Sequence, residues 1–572
     1  MNQKTWFSIA ALLLGYILVA SLFIGVAINP IGEAQAQNLS REERNWELVN
    51  HNDRGTNHNP QNQINKQNAH ALELKWVAPI PSVNQLGAGS WGNTEGSQAP
   101  QLVVDGIVFN VLNRKSIIAY DAKTGNTVWT YEHEEYDQDE GQRLYPIAVD
   151  TAHTHGMYFS DGFLVQTDFG CKYTFWDPKT GDVARQIEHL CVESTDPEWF
   201  PASQHNSKGW GVPTNSGQYR SRGTHPPTIW AEENIIFHQL GGHAEGTYGG
   251  RYYVSARDYT TGELLWRTFL MPPCGDPVTC GPGKDGPLFV EEKAEWGQWL
   301  VDNCDKIWMY SPEVKEPPYA VKSCEMDEDI LRNDWGDMRS NSGISNVWGY
   351  MPLDKETGII YYGMAQPGPD RNGTYAPGPR LFGTAFVAID GRTGEFLWAY
   401  QTTPRDLWDY DCAWNTKLAE TVVRGQMRKV MIGGCKNGII YVLDAATGYA
   451  YHAIESDFIK RCTDRNSGDN GKSLCTLYDP LDRKDMLKPW LNWPDMGAFW
   501  ENCRTSGCIE SDTAFDSERN MIFAGIFNFP TWTNVGNAEV RGVSVAGCRA
   551  VSYTHLRAHE TEADLVCRLL LE

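Results

Sequence analysis

The stretch Ser116-Ile-Ile-Ala-Tyr120-Asp-Ala-Lys-Thr-Gly125-Asn-Thr-Val-Trp129 joins an alternating apolar run to the motif Asp-x-x-Thr-Gly and to a tryptophan four residues after the glycine. The alternation predicts a β-strand, and the Asp and Thr-Gly residues predict a tight turn into the next strand. The motif recurs with its tryptophan at Asp258 to Gly262 and Asp390 to Gly394, and without it at Asp177 to Gly181, Asp354 to Gly358 and Asp444 to Gly448. One hairpin repeated six times, with an aromatic ring to lie on the neighbouring unit, predicts an all-β fold of the β-propeller type.

The composition agrees with many short strands. The 572 residues include 22 Trp, 25 Tyr and 54 Gly, and 21% of them are charged. Aromatic residues favour strands and glycines favour the turns between them. The net charge of -23 argues against nucleic acid or an anionic lipid surface as a partner, because both would repel the chain. An acidic surface suits a protein outside the cytoplasm that meets a neutral substrate or a basic electron carrier.

The N-terminal residues predict export. One lysine precedes an apolar run from Trp6 to Ile28, and Ala34-Gln-Ala36 fits a cleavage site. Residues 1–36 are therefore interpreted as a signal peptide. An uncleaved membrane anchor is the alternative, since about 23 residues at about 1.5 Å each span a bilayer. Both interpretations place the body of the protein in the periplasm or outside the cell.

The 14 cysteines contain no C-x-x-C or C-x-x-C-H motif, which argues against a zinc or haem site. In an exported protein, cysteines close in sequence are candidates for disulfides. The candidate pairs are Cys274 with Cys280, Cys304 with Cys324, Cys462 with Cys475, and Cys503 with Cys508.

The last residues do not resemble the rest of the chain. From about Arg549, the text Val551-Ser-Tyr-Thr-His-Leu-Arg-Ala-His-Glu-Thr561 resembles translated sequencing-adapter DNA. A genuine terminal helix is the alternative. The domain interpretation is thus a propeller over residues 37–548 that lacks its last blades, followed by a non-native tail over 549–572.

A second pattern predicts a functional site. In Trp408-Asp-Tyr-Asp411 two carboxylates stand two residues apart, and Lys436 follows Asp409 by 27 positions in Cys435-Lys-Asn-Gly438. Residues i and i+2 of an extended strand point to the same side, so Asp409 and Asp411 are expected to face one site, with Tyr410 packed behind. Two such charges repel each other unless a cation joins them. Solvated acids on an outer strand are the structural alternative.

The tryptophan-docking repeats, together with Trp408-Asp-Tyr-Asp411 and Lys436-Asn-Gly438, resemble the pyrroloquinoline quinone (PQQ) dependent alcohol dehydrogenases. The resemblance runs from roughly Asn45 to Asn528 and implies an eight-bladed propeller with PQQ and a metal ion on its axis. It also implies oxidation of a primary alcohol or an aldehyde by hydride transfer to PQQ. The residue roles that it implies are Asp409 as general base, Lys436 as donor to the quinone oxygens, Trp348 as the stacking ring, Thr224 as a contact to a cofactor carboxylate, and Glu245, Gln366, Asp409 and Asp411 as metal ligands.

Asp411 bears on the identity of the metal. Calcium-dependent methanol dehydrogenases of this family have a small neutral residue at that place, whereas the lanthanide-dependent ones have Asp. A trivalent ion attracts an additional carboxylate ligand more strongly than a divalent ion does. The resemblance therefore favours a lanthanide of the La³⁺ or Ce³⁺ type over Ca²⁺.

Two departures from the family pattern keep other functions open. No two cysteines are neighbours, although the family has an adjacent Cys-Cys pair over the cofactor, and Gln366 replaces an Asn. One alternative is a non-catalytic propeller that acts as an envelope scaffold or binding protein. The other is a degenerate member that has lost its cofactor. For the enzyme, electrons would leave to a separate carrier, a cytochrome c or a small copper protein, because the body contains no haem motif.

Overall fold

The computed structural model describes residues 39–78, 100–112, 116–132, 157–167, 173–187, 228–240, 252–272, 293–311, 314–336, 343–344, 349–368, 378–406, 409–414, 416–455, 498–502, 508–509, 511–526, 530–534, 551–552 and 567–570. They belong to two compact units. The smaller unit comprises Met1–Asn45 and Asn59–Leu74, and its described part contains helix α1 (Arg41–Arg44) and a 3-10 helix at Ala69–Ala71. Ser40 begins α1 as one half of a capping box whose other half is Glu43.

The larger unit comprises Trp46–His58 and Lys75–Glu572 and contains the strands. Its first three sheets each have four antiparallel strands in chain order. Sheet 1 consists of β1 (Leu102–Val104), β2 (Ile107–Leu112), β3 (Ser116–Asp121) and β4 (Thr127–Glu132). Sheet 2 consists of β5 (Tyr158–Ser160), β6 (Phe163–Thr167), β7 (Tyr173–Trp176) and β8 (Val183–Ile187). Sheet 3 consists of β9 (Thr228–Trp230), β10 (Ile235–Leu240), β11 (Tyr253–Asp258) and β12 (Leu264–Phe269), with a 3-10 helix at Ala231–Glu233.

A helical insertion separates sheet 3 from sheet 4. It contains α2 (Lys293–Asp302), 3-10 helices at Cys304–Lys306 and Ser323–Glu325, β13 (Ile307–Tyr310), β14 (Ala320–Lys322) and α3 (Glu328–Arg332). The predicted disulfide between Cys304 and Cys324 is confirmed and closes this insertion. Cys508 is also disulfide-bonded. The other cysteines of the predicted pairs, which are Cys274, Cys280, Cys462, Cys475 and Cys503, lie outside the described residues.

The remaining strands continue the series. Sheet 4 consists of β16 (Leu353–Asp354), β17 (Ile359–Gly363), β19 (Ala385–Asp390) and β20 (Phe396–Gln401), and β13 extends it by pairing in parallel with β20. The short strands β15 (Gly343–Ile344) and β18 (Pro367–Gly368) pair with each other. Sheet 5 consists of β21 (Lys417–Val423), β22 (Gln426–Gly434), β23 (Ile439–Asp444) and β24 (Ala450–Glu455). Two three-stranded sheets follow: β25 (Ala498–Asn502), β28 (Pro530–Asn534) and β29 (Val551–Ser552), and β26 (Ala514–Asp516), β27 (Met521–Ala524) and β30 (Cys567–Leu570).

All six copies of the Asp-x-x-Thr-Gly motif form hairpin turns, as predicted. Five join the third strand of a sheet to the fourth, and the copy at Asp354 to Gly358 joins β16 to β17. In the first copy, the Asp121 carboxylate accepts hydrogen bonds from the backbone N–H groups of Lys123 and Thr124, over 3.1 and 2.8 Å. Gly125 ends this turn at φ +72°, a left-handed conformation in which a side chain is disfavoured.

The tryptophans dock one sheet on the next, as the sequence predicted. The indole N–H groups of Trp129, Trp266 and Trp398 donate to the backbone carbonyls of Pro178, Gly391 and Ala445 in the turn of the following sheet. Two docking residues were not predicted. Trp76 donates to the carbonyl of Ala122 over 2.9 Å, and Ile187 takes the place of a tryptophan under Gly262.

Clusters of buried apolar side chains fill the spaces between consecutive sheets of the larger unit. Burying each such side chain contributes about 1.5–3 kcal/mol, so these interfaces are the main stabilising contacts of the described sheets. In chain order, the five interfaces are each represented by one buried residue from either sheet: Phe109 and Trp176, Phe175 and Ile236, Phe237 and Ile360, Phe386 and Tyr441, and Ile440 and Ile522.

The segment Trp46–His58, here called the strap, forms backbone hydrogen bonds with the first strand of five different sheets. Its partners are Val103 of β1, Phe159 of β5, Leu353 of β16, Leu418 of β21 and Phe515 of β26, with N···O distances of 2.6–2.9 Å. In addition, Asp53 accepts a hydrogen bond from the Tyr158 hydroxyl over 2.5 Å and pairs with Lys355 over 3.0 Å. The first strands of these sheets therefore all lie beside one short piece of chain.

Several predictions about the ends of the chain stay predictions. Residues 1–36 lie outside the described residues. The prediction of eight blades and the prediction that the last blades are missing also remain predictions. In the predicted non-native tail, β29 pairs with β28 and β30 pairs with β27. Among the residues that the structure describes, no helix has the length and apolar character needed to cross a membrane.

The docking contact predicts a specific loss of stability for Gly448→Ala. Gly448 has φ +69°, and a Cβ there would come within 2.5 Å of the Trp398 ring. We expect the free energy of unfolding to fall by about 2–4 kcal/mol, from left-handed strain plus overpacking. Gly425→Ala is the matched control, because Gly425 has φ +72° but nothing within 4 Å of its Cβ position. It should cost only about 1–2 kcal/mol, and equal losses in urea unfolding would contradict the docking role.

Buried His238 predicts a pH-dependent stability. Burial, with added repulsion from Arg257 and Arg267, lowers the pKa of His238 to about 3. The unfolded chain takes up a proton below about pH 6.5, whereas the folded chain does not, so stability is lost as the pH falls from there toward 3. We expect a loss of about 2 kcal/mol by pH 5. Urea unfolding of His238→Gln should show a flatter pH dependence than the parent, and exposed His70→Gln should not; a slope unchanged in His238→Gln would refute this.

Candidate cofactor and active site

Lys436 stands at the tip of the hairpin that joins β22 to β23. Asn437 shapes this turn because its side-chain oxygen accepts from the Ile439 N–H over 3.1 Å, while its NH₂ group donates to the Tyr441 hydroxyl over 3.1 Å. Gly438 supplies the left-handed residue, at φ +83°. Burial, and then the neighbouring phenols of Tyr310 and Tyr400, raise the pKa of Tyr441 far above its usual value, so its hydroxyl stays protonated. The sequence Lys-Asn-Gly therefore forms a rigid turn that presents the lysine.

The two predicted aspartates lie in the segment Asp409–Trp414, here called the acidic loop, between β20 and β21. The expectation of an extended strand is wrong, because these residues form no strand and Asp409 has φ +72°. Aspartate is one of the non-glycine residues that adopt a left-handed conformation most readily, because its short side chain can form local hydrogen bonds. Asp406 supports the bend, since its carboxylate accepts from the Tyr410 N–H over 2.8 Å and from the Thr384 hydroxyl over 2.7 Å.

The acidic loop and the hairpin bring the predicted charges together. Lys436 Nζ lies 3.0 Å from Asp409 Oδ1 and 2.7 Å from Asp411 Oδ2, and the three side chains are at most 7% exposed. The Lys436 N–H also donates to the Asp411 carbonyl over 2.9 Å. The prediction that both carboxylates face one site is thus confirmed, although a bent loop achieves it. Tyr410 is buried, as predicted. The alternative of solvated acids on an outer strand is excluded by their burial.

Gln366 joins the same group. Its backbone N–H donates to Asp411 Oδ1 over 2.6 Å, so each oxygen of Asp411 has a donor. The side chain of Gln366 is buried, and its Oε1 has no hydrogen-bond partner among the described residues. Leaving such an oxygen unsatisfied costs about 1–3 kcal/mol. A buried amide oxygen without a donor among the described residues, on a residue whose backbone bonds to Asp411, is a hard oxygen of the kind that Ca²⁺ or a lanthanide prefers.

The other predicted site residues cannot be placed. Thr224, Glu245 and Trp348 lie outside the described residues, and so does Trp408. Gly349, the neighbour of Trp348, packs against the acidic loop, since its Cβ position lies 2.5 Å from the Trp414 carbonyl carbon. No group of three or more His, Cys, Asp or Glu side chains suited to hold a metal occurs in the part of the chain that the structure describes.

Two features of the site were missed by the sequence analysis. One is Asp406, which supports the acidic loop. The other is a disulfide between Cys412 and Cys435, which follow Asp411 and precede Lys436 directly. These two are 23 residues apart, and no residue pattern around either cysteine indicates its partner. The signal that could have found them was the predicted meeting of Asp411 and Lys436, because it brings their neighbours together as well.

The buried charges predict a large effect for Lys436→Met. Removing the ammonium leaves two buried carboxylates without the cation that pairs with both, which we expect to lower the free energy of unfolding by about 3–5 kcal/mol at pH 7. Arg332→Met is the control, because Arg332 and Glu328 form an exposed pair that contributes about 0–1 kcal/mol. Urea unfolding of the unloaded protein measures both, and equal losses would mean that the Lys436 pair is effectively solvated.

Comparison with known proteins shows the family of this chain. Residues 46–306 and 305–465 match the family described as PQQ, glucose/ethanol/alcohol dehydrogenase, beta-propeller domain. The quinohemoprotein alcohol dehydrogenase ADH-IIG of Pseudomonas putida is 25% identical over 411 residues, covering 71% of this chain and 45% of that protein. The quinohemoprotein alcohol dehydrogenase of Comamonas testosteroni is 27% identical over 390 residues, covering 68% and 43%. The chain thus spans about half the length of the curated relatives that it matches.

Solved structures show the same fold. The crystal structure of the Comamonas testosteroni enzyme has a TM-score of 0.54 at 20% identity and covers 88% of this chain and 61% of its own. A europium-containing methanol dehydrogenase has a TM-score of 0.53 at 18% identity, with coverage of 88% and 72%. Because the family match extends over more than half of the chain, this protein belongs to the PQQ-dependent alcohol dehydrogenase family.

Proposed function

We propose that this chain is an exported PQQ-dependent dehydrogenase that oxidises a primary alcohol or an aldehyde. The observation that carries the proposal is the buried meeting of Asp409, Asp411 and Lys436, with the backbone of Gln366 bonded to Asp411. A purely structural protein has no need of this group, because burying an ion pair costs about as much in desolvation as its attraction returns. Family membership supplies the chemistry that uses such charges.

The residues present fit a metal ion and PQQ. Asp409, Asp411 and Gln366 supply hard oxygen atoms, and we propose Glu245 as a further ligand. Asp411 adds a carboxylate to the site, for which reason we favour a lanthanide over Ca²⁺. Trp348 and Thr224 are the proposed contacts to the ring and to a carboxylate of the cofactor.

The chain's own residues would perform the proton chemistry. When bound, PQQ supplies the acceptor for two electrons and the metal supplies a Lewis acid. Asp409 accepts the hydroxyl proton of the alcohol on its carboxylate, as a general base. Lys436, 3.0 Å from Asp409 Oδ1, orients that carboxylate and is the proposed donor to the cofactor oxygens. Asp411 fixes the ammonium from the other side, over 2.7 Å.

The compartment and the electron acceptor complete the proposal. Disulfides such as Cys304–Cys324 and Cys412–Cys435 persist in oxidising compartments, which supports export through the segment 1–36. The electrons would pass to a separate carrier, a cytochrome c or a small copper protein. One relative, lupanine 17-hydroxylase of a Pseudomonas species, carries cytochrome c in its name. The acidic surface, with a net charge of -23, favours a basic carrier.

Reconstitution tests the function and the metal together. The full chain, exported to the periplasm, is loaded with PQQ and either Ca²⁺ or La³⁺, and dye-linked oxidation of ethanol and bound-quinone absorbance are measured. We expect turnover with La³⁺. Asp409→Ala should retain PQQ but lose at least about 100-fold in turnover, because a general base contributes that much or more. Asp411→Ala should lose the turnover with La³⁺.

The control is Asp182→Ala, which changes an exposed aspartate outside the site and should behave like the parent. Turnover with Ca²⁺ alone would contradict the lanthanide assignment but would support the proposed dehydrogenase activity. Failure to bind PQQ with either ion would overturn the catalytic proposal and leave the scaffold or degenerate propeller.

A further inference from the structure

The disulfide Cys412–Cys435 lies at the centre of the candidate site rather than at the edge of the fold. Cys412 directly follows Asp411, and Cys435 directly precedes Lys436. The bond therefore joins the acidic loop to the hairpin one residue away from the two charges that meet. Both cysteines are fully buried, in the cluster of apolar side chains between sheets 4 and 5.

The contacts around the bond hold each cysteine in place. The Cys412 N–H donates to the Met364 carbonyl over 3.0 Å, and Thr402 Oγ1 lies 3.0 Å from Cys412 Sγ. The Cys435 N–H donates to the Ile439 carbonyl over 3.2 Å, within the hairpin. The sulfur bridge thus connects two pieces of backbone that are each anchored to a different sheet, sheet 4 through Met364 and sheet 5 through Ile439.

The side-chain contacts between the two pieces depend on charge: Lys436 Nζ pairs with Asp409 and Asp411. One neutral backbone hydrogen bond, from the Lys436 N–H to the Asp411 carbonyl, also joins them. Two buried carboxylates repel each other, and any cation or cofactor that draws the ammonium away weakens the pairing. A covalent link does not weaken in this way. It keeps Asp411 beside the backbone of Lys436 whichever partner the ammonium has.

We propose that the Cys412–Cys435 disulfide is a positioning element of the cofactor site: it fixes the acidic loop against the Lys436 hairpin, so that the oxygen ligands and the ammonium keep their spacing before and after metal and PQQ bind. Cys412 and Cys435 are positioning residues, because they act through Asp411 and Lys436. Supporting groups of this kind decide whether a site is held within the tolerance that binding needs. The inference rests on the proposed function for what is bound.

The chain contains its own matched control. The disulfide Cys304–Cys324 closes a loop of 20 residues in the helical insertion, and Cys412–Cys435 closes one of 23. Because the entropy that a disulfide removes from the unfolded chain depends on the logarithm of loop length, removing either bond should have a similar effect on the unfolded state. The two pairs differ in burial, because Cys412 and Cys435 are buried and Cys324 is exposed. A difference in the site therefore reports positioning when it also appears in Cys412→Val/Cys435→Ala, which leaves a smaller cavity.

The experiment compares Cys412→Ala/Cys435→Ala with Cys304→Ala/Cys324→Ala in the full chain, unloaded. Hydrogen exchange is followed by mass spectrometry for peptides that cover the acidic loop and the hairpin, and dissociation constants are measured for La³⁺ and for PQQ. We expect exchange in these two segments to rise only when Cys412–Cys435 is removed. We also expect the affinity for La³⁺ and PQQ to fall by about 10-fold or more in that variant, the range typical of supporting residues around metal ligands, and to stay at the parent value in the other.

The outcomes separate the two proposals. Equal exchange and equal affinity in both double variants would overturn the positioning role. If the parent binds neither La³⁺ nor PQQ, the proposed function fails, and the exchange comparison still decides whether the bond holds the two loops together. Cys412→Val/Cys435→Ala replaces more of the buried sulfur volume and serves as the test variant where the alanine pair does not fold.

Discussion

The contact between an aromatic or aliphatic side chain of one sheet and the hairpin turn of the next sheet is the interaction on which the rest of the structure depends. A β-sheet with two apolar faces cannot be stable alone, and four interfaces between the described sheets have such a contact at their edge. The indole N–H of Trp398 satisfies a turn carbonyl of sheet 5, and its ring occupies the space that the missing Cβ of Gly448 leaves open. The hydrogen bond fixes the orientation of the Trp398 indole, and the ring contact fixes the distance between sheets 4 and 5. The buried residues of the two sheets therefore pack against each other in a defined register.

The candidate site uses the rigidity that these interfaces provide. The acidic loop leaves sheet 4 and the Lys436 hairpin belongs to sheet 5, so the spacing of the charges is set by how the two sheets pack. Stability alone would favour apolar residues there, because the attraction within a buried ion pair barely exceeds the desolvation cost of its two charges. The buried charges, and the amide oxygen of Gln366 that has no partner among the described residues, are the features that the proposed function explains.

Much of this could be predicted from the sequence. The repeated turns and three docking tryptophans were predictable because Asp, Gly and Trp each act through local geometry, and the meeting of Asp409, Asp411 and Lys436 followed from motif resemblance. The extended strand at Asp409 was a wrong prediction, since alternation of side chains cannot reveal a left-handed bend imposed by Asp406. Ile187 as a docking residue and the bond between Cys412 and Cys435 depend on contacts between sheets, which no local pattern contains.

The strap has a consequence for the order in which the protein is assembled. Residues 46–58 are synthesised before every strand that they bind, and their last partner, Phe515, comes more than 450 residues later. Contacts so distant in sequence slow folding, since the entropy of closing the intervening chain must be overcome before any contact is gained. Until the later sheets emerge, the strap lacks its backbone partners Leu353, Leu418 and Phe515. A nascent chain of this design therefore stays exposed to aggregation and proteolysis until late in its synthesis.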